Sequence, residues 1–78
     1  MKVTDILNIL GRGNVLLLDE GEVHLGYTIE RKGQAFEAVG VEGPMGCSKA
    51  VGVILRPNDL VPECFEVGDE LVFKSDKL

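Results

Sequence analysis

Between Glu22 and Glu30 apolar and polar positions alternate, with Val23, Leu25, Tyr27 and Ile29 interleaved among Glu22, His24, Gly26, Thr28 and Glu30. A period of two predicts a half-buried antiparallel strand. Asn14 to Leu18 lacks that alternation, because Val15, Leu16, Leu17 and Leu18 are all apolar, and predicts an interior strand covered on both faces. Arg31-Lys32-Gly33-Gln34 supplies a turn. Ala35 to Val41 is the next strand, with Phe36 and Ala38 opposed to Glu37, Val39 and Val41, and with Gly40 marking a bulge. Gly43-Pro44-Met45-Gly46 reads as a loop before a strand from Lys49 to Leu55. Pro57, Asn58, Asp59 and Pro62 hold an irregular excursion, after which Val67-Gly68-Asp69 turns into a last strand, Glu70 to Lys74, with Leu71 and Phe73 inward.

The start of the chain carries a competing signal. Thr4 is placed to cap a short helix with Ile6, Leu7 and Leu10 on one face and Gly11 at its end, and these local features favour helix there. Elsewhere, short strands separated by glycine turns predict an all-β fold of about six strands, a small closed or partly open antiparallel barrel in which closure hides the sheet edges. The 78 residues form a single domain, 1–78.

Hydrophobic residues are 45% of the chain and charged ones 27%, an ordinary globular balance. A core this small is commonly supplemented by disulfides, a metal or a partner subunit; two cysteines and one histidine are little material for the first two, so a dimer or a parent complex is expected. Asp5 and Asn8 interrupt the stretch where a signal peptide would need an apolar run. The longest wholly apolar run, Val15 to Leu18, falls far short of the roughly 20 residues that cross a bilayer. A soluble, cytoplasmic protein with no membrane role follows as the expectation, with Cys47 and Cys64 as free thiols. Thirteen acidic against eight basic residues give a net charge of −5, the wrong sign for autonomous nucleic-acid binding. Asp59, Glu63, Glu66, Asp69 and Glu70 concentrate that charge in what reads as a solvated loop, the alternative being a face for a basic partner.

Catalytic signatures do not assemble. Gly43 to Ala50 superficially resembles a phosphate loop, but Ser48 stands where a second glycine is needed and Ala50 where a hydroxyl must bind magnesium. Gly11-Arg12-Gly13 is too short for a dinucleotide fingerprint and reads as a hairpin turn. His24, Cys47 and Cys64 match no zinc-site spacing. His24 falls on a polar strand face, and nothing in the sequence marks either thiol as activated. No enzyme, cofactor or metal is expected.

Taken together, Asp5 to Val15 with its Gly11-Arg12-Gly13 turn, Gly21-Glu22-Val23-His24-Leu25-Gly26-Tyr27, Phe36 to Val41, Val51-Gly52-Val53-Ile54-Leu55-Arg56 and Val67-Gly68-Asp69-Glu70-Leu71 follow one pattern along nearly the whole chain. In order and spacing this pattern resembles the second domain of translational GTPases such as elongation factor Tu, a small β-barrel. The resemblance implies that the first ten residues are strand rather than helix. It carries over no GTP hydrolysis, since no GTPase domain or phosphate loop accompanies it. In the family the barrel packs on the GTPase domain and helps hold the acceptor end of charged tRNA or contacts the ribosome. Of the residues matching family positions, Arg12 and Arg56 offer a cation for binding, and each also reads as a solvated arginine.

Three functional expectations follow. The first is a stand-alone barrel binding module, attached to translation, with a protein partner. The second is a structural or oligomerisation domain without a translation role, and the third a small-ligand binding protein or minor enzyme using Cys47, Cys64 or His24.

Overall fold

The computed structural model describes residues 1–43 and 50–75. Five strands, β1 (Val3–Ile9), β2 (Gly13–Leu18), β3 (Thr28–Arg31), β4 (Gln34–Glu42) and β5 (Val51–Arg56), are followed by one helical turn, α1 (Val61–Cys64). All neighbouring strands pair antiparallel in one sheet of order β1-β2-β5-β4-β3. β2 is interior, as its unbroken apolar run predicts: Leu16 and Leu18 are fully buried on one face and Val15 is buried on the other.

Cross-strand rows on one side build the core. Ile6, Leu16, Val53 and Val41 form one row, and Val3, Leu18 and Val51 the next. Leu55 beside Ala38 and Ile29 beside Phe36 extend it toward β3. The chain after β5 covers this face with buried Val61, Cys64, Phe65, Leu71 and Phe73. The Phe65 ring packs edge-on against Phe36, with centroids 5.1 Å apart, a geometry in which ring edge and ring face attract.

The N-terminal helix expectation is wrong, and the segment is strand, the outcome the family pattern implied. A helix cap contributes about 1 kcal/mol, less than seven residues gain by pairing with β2 and burying Val3 completely. Thr4 sits at a register shift, and its hydroxyl donates to the Leu17 carbonyl instead of capping.

The strand expected over Glu22 to Glu30 shrinks to Thr28–Arg31. The Tyr27 N–H bonds the His24 carbonyl, and Gly26 at φ +92 turns the chain, so Leu25 swings outward to 68% exposure. His24 therefore lies in a turn and not on a strand. The Lys32–Gly33 turn forms as expected, with both residues at positive φ. The bulge in β4 falls between Ala38 and Gly40 and makes Val39 the extra residue. β5 starts at Val51; Lys49, like Pro44 to Ser48, lies outside the described residues. The excursion after Pro57, whose bond to Arg56 is cis, contains the α1 turn.

The expected sixth strand is not a strand of the sheet. Glu70 to Lys74 makes isolated bridges, Lys2 with Glu70 at the β1 edge and Thr28 with Lys74 at the β3 edge. Val3 N–H donates to the Asp69 carbonyl at 2.9 Å, Leu71 N–H to Met1 at 2.7 Å, and Thr28 and Lys74 exchange bonds of 2.9 and 2.8 Å. The sheet itself stays open, with five strands in place of about six.

Candidate functional site

The second face of the sheet is apolar where an exposed face is usually polar. Leu7, Val15, Ile54 and Gly40 stand side by side in one row across β1, β2, β5 and β4. Asp5, Leu17, Gly52 and Glu42 form the adjacent row on one side, and Arg56 stands opposite Glu37 on the other. Leu7, Ile9 and the bulged Val39 are about a third exposed, and Leu10 at the tip of the β1–β2 hairpin is fully exposed. The two glycines keep the surface low. A β-carbon on Gly40 would lie 3.1 Å from Ile54 Cδ1, and one on Gly52 3.3 Å from Val15 Cγ1, so neighbouring aliphatic side chains occupy that space.

Arg12 ties this face together electrically. It leaves the β1–β2 turn and pairs with Glu42 two strands away. Glu42 neighbours Gly52, which neighbours Leu17, whereas Arg12 precedes Gly13 at the far end of β2, so the ion pair links the hairpin to β4. Val15, in the middle of the row, is the buried member of this face. Arg56 projects on the same side, since it lies two residues beyond Ile54. The two arginines singled out by the sequence thus flank one surface, Arg12 engaged with Glu42 and Arg56 exposed opposite Glu37.

Sequence reasoning missed the apolar row and the Glu42 partner. The available signal was the all-apolar Val15–Leu18 run together with glycines at 40 and 52, which become neighbours only once the register is known.

The remaining candidates are placed differently. His24 is exposed, pairs with Glu22 and meets the Tyr27 ring edge-on at 5.3 Å. It rims a depression of about 330 Å³ floored by Val23, Val41 and Val51. Cys64 is a free thiol buried in the core, away from solvent; Cys47 lies outside the described residues. Among the described residues no group of three or more His, Cys, Asp or Glu side chains is arranged to hold a metal ion, and no helix is long and apolar enough to cross a membrane. A second depression, about 540 Å³, lies beside Thr28 where the bridge to Lys74 ends, lined by Ile29, Glu30, Ala35 and Val72. In the acidic stretch, Asp59, Glu63, Glu66 and Glu70 face solvent as a solvated loop would, but Asp69 is half-buried and paired with Arg31. No family model, curated protein or solved structure matches the chain.

Proposed function

We propose that this chain is a binding module of the cytoplasm, attached to translation, that docks a protein on its outer sheet face and performs no chemistry itself. The Leu7–Val15–Ile54–Gly40 row carries this reading, because a contiguous apolar surface rimmed by charges is how protein docking faces are built. The negative net charge favours protein over nucleic acid as the occupant. On this reading Glu70 to Lys74 acts as a sixth stave that closes a small barrel, supported by its main-chain bonds to both edge strands. The likeness to the second domain of translational GTPases supplies the translation setting.

The test is affinity capture from lysate with wild type and Ile54→Lys side by side. A ribosomal protein or translation factor retained by the first and lost by the second is the expected outcome. Recovery of neither class, or equal recovery by both proteins, would overturn the reading. One cation and one anion side by side on the same face favour the alternative of an oligomerisation domain.

A further inference from the structure

We infer that the docked protein is held by strand addition: an extended segment of it pairs antiparallel with the free edge of β1 over Ile6 to Asn8, a mode of binding that rests on reading the outer face as a docking surface. Asn14 turns both main-chain groups toward Asn58, so its neighbours Gly13 and Val15 turn theirs toward Ile9 and Leu7. Ile6 and Asn8 alternate with those residues and therefore point their main-chain groups away from β2, out of the sheet edge. The Ile6 N–H meets the Asp5 carboxylate there, at 2.8 Å. Among the described residues nothing bonds the Ile6 carbonyl or either main-chain group of Asn8 from that side, because the strap covers this edge only as far as Val3, through Gly68 and Asp69. The other edge is guarded. β3 spans only Thr28–Arg31, ends in two charged residues and has Thr28 already paired with Lys74. From Ile6 to Ile9, β1 carries no charge, proline or bulge, the devices that keep an edge from recruiting a strand.

The register defines the segment. A residue opposite Leu7 lengthens the Leu7–Val15–Ile54–Gly40 row and must be apolar, as must the one opposite Ile9, while the one opposite Asp5 must be a cation. From its N-terminus the segment thus runs apolar, any residue, apolar, any residue, Lys or Arg, with main-chain bonds for affinity and alternate side chains for specificity. Its charge suits a chain of net charge −5.

Affinity capture from lysate and amide hydrogen exchange test the inference on the full chain, with wild type, Asn8→Pro, Asn8→Ala and Ile54→Lys. Proline at position 8 leaves the β1–β2 bonds in place, since the Asn8 N–H points outward, and removes the donor that an added strand needs. Alanine there removes only the carboxamide that bonds the Asn14 side chain. Capture of the ribosomal protein or translation factor is expected to fall about tenfold or more with Asn8→Pro and to hold with Asn8→Ala. In the wild-type complex the Asn8 amide is expected to exchange about tenfold or more slower than in the free chain, a readout independent of whether the proline variant folds. Asn8→Pro capturing as well as Asn8→Ala, or an Asn8 amide exchanging equally fast free and bound, would overturn strand addition. Where Ile54→Lys abolishes that same capture, the outer-face reading stands and this inference falls alone. Wild type that retains no translation component would overturn both.

Discussion

Asn58 stands beside Asn14 as a neighbouring strand residue would. Its Oδ1 accepts the Asn14 N–H at 2.8 Å and its Nδ2 donates to the Asn14 carbonyl at 2.9 Å, the two-bond exchange of an antiparallel pair. The same Nδ2 donates to the Leu55 carbonyl at 3.2 Å, and Asn14 Nδ2 returns a bond to the Asn58 carbonyl at 2.9 Å. The β2–β5 ladder ends at the Val15–Ile54 pair, so this carboxamide supplies the neighbour that Asn14 would otherwise lack on that side. It also fixes the base of the hairpin from which Arg12 reaches across the outer face.

Asn58→Ala should therefore destabilise the fold by about 2 kcal/mol, since it strips partners from half-buried main-chain groups. Asn58→Asp keeps the acceptor but loses both donated bonds and should act in the same direction. Urea unfolding checks both, as a lower midpoint at unchanged slope. An alanine variant within about 0.5 kcal/mol of wild type would mean that water replaces the carboxamide freely.

Gly13 is the complement of that arrangement. It sits at φ +83, and a β-carbon there would lie 2.3 Å from Asn58 Oδ1. Gly13→Ala meets backbone strain and a collision with a hydrogen-bonded group, and should cost more than about 1 kcal/mol. Gly52→Ala meets an aliphatic end at 3.3 Å without a positive φ and should cost less. Paired denaturation curves decide it; equal losses would show that Asn58 yields without resistance.

The sequence carried β2, β4 and β5 clearly, because an interior strand needs apolar residues on both faces and a half-buried one alternates. It misled at Thr4, where a cap motif worth about 1 kcal/mol is outweighed by pairing with a strand nine or more residues away. It misled again at Leu25, where alternation persists through a turn because periodicity is blind to the positive φ of Gly26. The Leu71 and Phe73 alternation is real, and both side chains are buried, yet it marks a strap bridging two edges instead of a ladder strand. Of the candidate site, Arg12 and Arg56 were visible as cations. The face they flank was not, since Leu7, Val15 and Ile54 become one row only through the register.

That strap is anchored by Arg31, whose Nη2 donates to Asp69 Oδ2 at 2.7 Å while the guanidinium lies 5.8 Å over the Phe65 ring. The same oxygen accepts the Glu66 N–H at 2.9 Å. Asp69→Ala should cost about 1–3 kcal/mol, the range for charged hydrogen bonds. Arg31→Met should cost less, because it also removes the buried Arg31 Nε that has no partner and keeps an aliphatic stem over Phe65. Hydrogen exchange distinguishes a local effect: the Val3 and Leu71 amides, which bond the Asp69 and Met1 carbonyls, should exchange faster in both variants while Val53 is unchanged. Uniform acceleration across the sheet would contradict an anchoring role.

At this same end of the strap, where Lys2 bridges Glu70, Asp19 closes the entry to β1. Its Oδ1 accepts the Lys2 N–H and the Glu20 N–H, each at 2.8 Å, and these bonds, Lys2 foremost, hold the carboxyl below its ordinary value of 3.8. A carboxylate whose folded pKa is depressed contributes stability that is fully present above the unfolded value and is lost as pH falls through the folded one. The Lys2 and Glu20 amide resonances should consequently titrate together with a midpoint below 3.8. Asp19→Asn retains an acceptor for both N–H groups but no titration, so the stability difference between wild type and variant should be constant above pH 5 or so and shrink toward acid. A difference that is flat down to strongly acidic pH, or an amide midpoint at or above the ordinary value, would show that the carboxylate charge plays no part in holding Lys2 to the end of β2.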